Sequence, residues 1–245
     1  MSALRALDGV AHWLGRLLLA FLLWLIFVQT AVRLVRRYWH FPVPHFVAAF
    51  LSSPIRKAMQ PPEEVVERSG ISPGMTVLEL GPGPGTFTLE AARRVGPHGR
   101  VIAVDIEPKM IARLEWAAER AGITNIEPHV ADAYHLPLPD TSVDVAFMVT
   151  VLAEIPDRQR ALAEIRRVLK PEGTLSITEL LTDPDYPRRS TVIRWCERAG
   201  FHLVGSHGGI FNYTLSFRPS QDRPHSAETH AAGEGLSDAS PLSGQ

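Results

Sequence analysis

Residues 77–90, "VLELGPGPGTFTLE", place glycines at 81, 83 and 85 straight after an apolar run that carries one acid, Glu79. Alternating glycines between a strand and a helix let the backbone approach a ligand closely. The helix entering at about Thr86 points its first amides at polar or anionic groups. A dinucleotide fingerprint, Gly-x-Gly-x-x-Gly, needs glycine where Thr86 stands, and a P-loop needs a lysine that this turn lacks. The pattern that remains is acid-x-Gly-x-Gly-x-Gly, an anion- and ribose-binding turn.

Two more acids fall into register with it. Asp105 closes "VIAVD", 20 residues beyond Gly85, where a carboxylate can take both hydroxyls of a ribose. Its plainer role is to cap the helix that opens at Pro108. Asp132, in "ADAYHLPLPD", follows a third strand-like stretch, and its plainer role is that of a turn residue. His135 and Glu154 are candidate proton acceptors by position alone, and no other catalytic residue is assigned. Cys196, the single cysteine, sits in "IRWCERAGF" without an activating neighbour and reads as packing.

These residues need a sheet to hold them. Strand patterns cover 76–80, 100–106, 125–130, 142–150 and 174–180, and the helices between them carry apolar residues at spacings of three and four. Met110, Ile111, Leu114 and Ala118 share one such face, and Leu162, Ile165, Val168 and Leu169 another. Continuous apolar strands alternating with helices predict a parallel sheet covered on both faces. At the end, "FHLVGS" and "IFNYTLSF" are separated only by "HGG", which predicts an antiparallel pair.

The glycine turn, Asp105, "ADAYHLPLPD" and the order "SVDVAFMVTVLAEIPD … ALAEIRRVLKPEGTLSITE" together resemble the class I S-adenosylmethionine-dependent methyltransferases. Within them they resemble the type-11 group that includes the UbiE-like quinone-biosynthesis enzymes. The resemblance covers about 61–218. It implies S-adenosylmethionine as cofactor, with Glu79, Gly81, Gly83 and Gly85 at its methionine end and Asp105 on the ribose. Ile106 would then lie beside the adenine, Asp132 and Ala133 at the adenine edge, and Thr150 and Val151 near the methyl group. The implied fold is α/β and Rossmann-like: a seven-stranded, mostly parallel sheet in the order 3-2-1-4-5-7-6, with the last strand antiparallel. Methyl transfer from a sulfonium is an in-line displacement that needs positioning rather than a metal or a covalent nucleophile, so no metal ligands are expected.

The sequence also narrows the acceptor. The Asn/Asp-Pro-Pro-aromatic motif of nucleic-acid amino methylation is absent after the fourth strand, where "TVLAEIPD" stands, and no Pro-Cys nucleophile is present. The net charge of −1 brings no bias toward nucleic acid, and none is expected as a partner. The short "LTDPDYPRRST" connection suggests an uncapped pocket, suited to a small-molecule or lipid acceptor.

The chain ends differ from its middle. Residues 17–28, "LLLAFLLWLIFV", contain no polar side chain. A bilayer needs about 20 residues, and extending the run to 10–35 adds few polar interruptions. Residues 1–40 therefore read as a hydrophobic anchor helix preceding the domain. A spanning helix is the first reading, with an interfacial helix and a signal peptide as alternatives. Arg33, Arg36, Arg37, Arg56 and Lys57 follow the run and predict a single-pass membrane protein with a cytoplasmic domain. Residues 41–60 read as a juxtamembrane or lid segment or a packed linker, 61–218 as the methyltransferase domain, and 219–245, rich in Ser, Gly, Pro and Asp, as a disordered tail.

Overall fold

The structure, a computed structural model, describes residues 54–220 and scattered helical positions between 13 and 31. The body opens with two short helices, α1 (Pro54–Met59) and α2 (Pro62–Arg68). Then follow β1 (Thr76–Leu80), α3 (Thr88–Val95), β2 (Arg100–Asp105), α4 (Pro108–Ala121), β3 (Ile126–Val130) and β4 (Val143–Val149). The rest comprises α5 (Arg158–Val168), β5 (Leu169–Leu180), α6 (Arg189–Arg198), β6 (Phe201–Gly208) and β7 (Asn212–Pro219). The seven strands form one sheet in the order β3-β2-β1-β4-β5-β7-β6. All neighbours are parallel except β7, which runs antiparallel to both β5 and β6.

Strand burial follows from strand position. β1 and β4 are buried on both faces and mostly apolar, with Thr76 and buried Glu79 in β1 and Asp144 in β4 as the exceptions, whereas β6, at the edge, is exposed along most of its length. Helices on the two faces close separate apolar clusters, one around Val77, Phe87, Ala91 and Val101, the other around Leu80, Leu162, Ile165 and Leu215. α4 shows how local chemistry sets element ends. Glu107 accepts from the Lys109 amide, Pro108 occupies the first turn, and Gly122 (φ 64°) ends the helix in the left-handed conformation. The capping role considered for Asp105 therefore belongs to Glu107.

Several boundaries differ from expectation. β5 starts at Leu169 rather than 174, because the "KPEG" stretch is absorbed as a register shift opposite Val143 and Val145 of β4. The helix after the glycine turn begins at Thr88. The described body reaches back to Pro54, with Arg56 of α1 and Gln60 just after it buried, which at 54–60 agrees with the packed-linker reading.

The anchor and tail assignments fall largely outside the described residues. At the described positions in 13–31 the chain is helical, and Trp13, Leu17, Leu19, Phe21, Leu23, Trp24 and Phe27 are exposed. Among the described residues no helix is long and apolar enough to cross a membrane.

Candidate cofactor and acceptor site

The sheet order reverses between β1 and β4, and strands diverging there leave a crevice at their carboxyl ends. A cavity of about 350 Å³ occupies it. One end is formed by the glycine turn, Asp105, Ile106, Asp132 and Ala133; the other by Arg56, Thr150, Val151, Glu154, Ile155, Asp183 and Asp185.

The turn is built around close approaches. Gly81 has φ 66°, and a Cβ there would stand 2.5 Å from Cγ2 of Val151. Its amide donates to the Val104 carbonyl at 2.9 Å, which ties the turn to β2. Gly83 lines the cavity and its amide faces Oδ2 of Asp105 at 3.4 Å. Gly85 plays a different part from its neighbours. It is off the cavity wall, and a Cβ would meet Cδ1 of Leu114 at 2.5 Å, so this glycine seats the turn against α4. α3 then begins with no side-chain cap on its first amides, beside Thr86 and Phe87 of the wall.

Glu79 lies beneath the turn rather than on the wall. It is buried, its Oε2 has no hydrogen-bond partner, and burial pushes its carboxyl up to about 8. Asp105 is half-buried. Burial raises its pKa above the usual range, against the lowering effect of the Glu107 and Gly83 amides. Ile106 is 67% exposed yet lies on the cavity wall, an apolar surface facing open space. Asp132 combines both roles considered for it: its Oδ1 accepts from the Tyr134 amide at 2.8 Å in a turn, and it lines the cavity.

At the other end, Thr150 takes a left-handed backbone (φ 56°), uncommon for a residue with a side chain. Two contacts hold it there. Its amide donates to the Thr178 carbonyl at 2.8 Å, and its hydroxyl accepts from the Arg56 guanidinium at 2.9 Å. Arg56 is 5% exposed, so it does not belong to the positively charged flank predicted after the apolar run. Around it stand Glu154, Asp183 and Asp185, whose carboxylate oxygens lie within 4.8 Å of one another. They are the one group among the described residues placed to share a cation, and Arg56 already brings positive charge to them. Glu179 is buried behind them. Burial first, then the charges of Asp183, Glu154 and Asp185, hold its carboxyl well above the usual range.

Of the two candidate proton acceptors, Glu154 is on the wall. His135 is off it, exposed, and set between Asp132 at 3.2 Å and the Arg160 guanidinium at 2.6 Å. Sequence reasoning missed Arg56, Glu179, Asp183 and Asp185 as site residues. A signal existed for the last two: "DPDYP" leaves β5 at the carboxyl edge, beside β4, where ligand-contacting loops gather. Arg56 had none, because its place depends on a contact 94 residues away in the chain.

Residues 71–205 match a family model described as a methyltransferase domain. An arsenite methyltransferase of Halobacterium salinarum is 35% identical over 119 residues, which are 49% of this chain and 30% of that protein. A ubiquinone/menaquinone biosynthesis C-methyltransferase UbiE of Enterobacter sp. (strain 638) is 36% identical over 168 residues, 64% of this chain and 65% of that one. A 2-phytyl-1,4-naphtoquinone methyltransferase of Trichormus variabilis is 37% identical over 165 residues, 66% and 70% of the two chains. The chain thus spans between 30% and 70% of the length of these relatives. A solved SAM-dependent methyltransferase from Aquifex aeolicus superposes with TM-score 0.68 at 26% identity, over 72% of this chain and 98% of that one.

Proposed function

The chain belongs to the class I S-adenosylmethionine-dependent methyltransferases, and on that premise we propose that it methylates a small lipophilic acceptor, quinone- or lipid-like, at the cytoplasmic face of a membrane. The observation that carries this reading is the two-ended cavity, with a nucleoside-type end at the glycine turn and, past Thr150, a second end where Val149, Val151, Ile155 and Pro156 give apolar wall beside Arg56, Glu154, Asp183 and Asp185.

The residues present fit the cofactor. Gly81 and Gly83 bring bare backbone to the cavity, and the Asp105 carboxylate is placed to accept from two ribose hydroxyls. Ile106 offers an apolar face for the adenine, with Asp132 and Ala133 at its edge. S-adenosylmethionine supplies, when bound, an electrophilic methyl carbon on a sulfonium. The chain's own part is then positioning. Thr150, fixed by Arg56, and Val151 shape the passage between the two ends, and Val149, Ile155 and Pro156 form apolar walls around an acceptor. Arg56 can hold negative charge on an acceptor oxygen, and Glu154 can take a proton from it.

Quinone-type acceptors are favoured by the names of two relatives and by the exposed apolar side chains at 13–27. The arsenite relative points elsewhere, but the single cysteine, Cys196, is buried and its thiol is pushed far up by burial, so it offers no thiolate for arsenic. A water-soluble acceptor with the membrane as an address alone is the competing reading.

The test uses the full chain, S-adenosylmethionine with a radiolabelled methyl group, and extracted lipids and quinones in vesicles. Label moving into the organic phase is the expected result. Transfer confined to water-soluble acceptors overturns the lipophilic reading.

A further inference from the structure

We infer that the tip of the β6–β7 hairpin is a bilayer-docking wedge, recognising an anionic headgroup surface through Ile210 and Phe211 flanked by Arg188 and Lys57. The inference rests on the membrane acceptor proposed above and adds the surface that meets the bilayer.

Ile210 and Phe211 are 75% and 73% exposed, and no large apolar side chain among the described residues is more so. The backbone beneath them is tightly held. The Leu181 amide donates to the Phe211 carbonyl at 2.7 Å, and the Tyr186 hydroxyl to the Ile210 carbonyl at 2.6 Å. The Arg189 guanidinium donates to the carbonyls of Gly208 and Gly209 at 2.6 and 2.9 Å. Ordering a loop costs conformational entropy, and displaying large apolar side chains to water forgoes their burial. A surface that covers the tip recovers that burial, and the loop that makes the contact is already ordered.

The occupant is chosen by charge and by continuity. Residues 201–212 contain no acid, Arg188 and Arg189 line a groove with Ile210, and exposed Lys57 lies on α1; the nearby Asp183 faces buried Arg56 and, with Asp185, lines the cavity, so the outer surroundings of the tip favour an anionic surface. The Asn212 side-chain amide donates to the Met59 carbonyl at 3.4 Å, which puts the tip beside α1, where the described body begins and the chain leads back to the apolar run. α1 also carries Arg56 into the cavity wall, so docking of this rim brings the cavity to the headgroups.

The test places an environment-sensitive fluorophore at Ile210→Cys in the full chain, with His202→Cys, at the far end of β6, as control. Cys196 is buried and leaves the introduced thiol as the labelled one. Vesicles are phosphatidylcholine with or without phosphatidylglycerol, and calorimetric affinity for S-adenosylmethionine checks that each variant is folded. The expected result is a blue shift and protection from aqueous quencher at position 210 on anionic vesicles, with the control unchanged. Lys57→Gln and Arg188→Gln should each weaken partition about fivefold. If the chain sediments with vesicles while the 210 label stays quenched like the control, the wedge is overturned and the membrane-acceptor reading stands. If the chain does not sediment at all, both fail, and cofactor affinity still tests the family assignment. A shift that grows with protein concentration without vesicles makes the tip a self-association surface and overturns the inference.

Discussion

On the ribose role proposed for Asp105, replacing it with alanine removes two charge-assisted hydrogen bonds worth about 1.5–3 kcal/mol each. Even one such loss weakens S-adenosylmethionine binding at least about tenfold by calorimetry, since about 1.4 kcal/mol is a factor of ten. Unchanged affinity takes Asp105 out of the site. Arg56→Met acts at the other end. It frees the Thr150 hydroxyl and leaves Glu154 and Asp183 without their buried counter-charge, so it should cut turnover while donor affinity stays close to wild type. A matching fall in donor affinity would instead show that Arg56 serves the nucleoside end. Gly81→Ala tests the close approach to Val151. The added methyl and the left-handed backbone both oppose it, and Val151→Ala in the same chain should relieve the clash but not the backbone strain of about 1 kcal/mol. Thermal unfolding of the single and double variants separates the two costs.

At the scale of elements, α1 decides how a shortened protein behaves. A chain starting at Pro61 loses more than the apolar N-terminus, because Arg56 forms part of the cavity wall. A chain starting just before Pro54 should bind cofactor and retain transfer to a detergent-solubilised acceptor. One starting at Pro61 should bind cofactor and lose that transfer. Equal turnover by the two would show that α1 only packs on the domain. The comparison isolates α1 from the apolar run, because neither chain carries residues 17–28.

At the scale of the whole molecule, stability should depend on pH through a buried acid. The Glu79 carboxyl is raised from 4.5 to about 8 in the folded state, so the folded protein binds more protons than the unfolded one between those values. The stabilisation is fully present below about 4.5 and is lost as pH rises through about 8. Glu179, also raised by burial, adds to the same trend. Melting temperatures across this window should fall with rising pH, and fall less in Glu79→Gln. A variant with the wild-type slope would show that Glu79 is not protonated in the fold.

The order of elements, the seven-stranded sheet with its reversed strand, and the meeting of Gly81, Gly83, Asp105, Ile106, Asp132 and Ala133 on one cavity wall were all legible in the sequence, because each rests on short-range signals. Two-residue glycine spacing, an acid closing a strand, and apolar runs of strand length repeat wherever the same local conformations are needed. Even there, only packing distinguished Gly83, on the wall, from Gly85, pressed against Leu114. The opposite end of the cavity, proposed for the acceptor, was decided by tertiary structure. Arg56 precedes the recognisable domain and gains its role only when α1 folds back onto Thr150, and Asp183 and Asp185 gain theirs when the loop after β5 meets Glu154. Contacts between residues so far apart leave no periodicity along the chain. They exist only once the sheet has brought its carboxyl edge together.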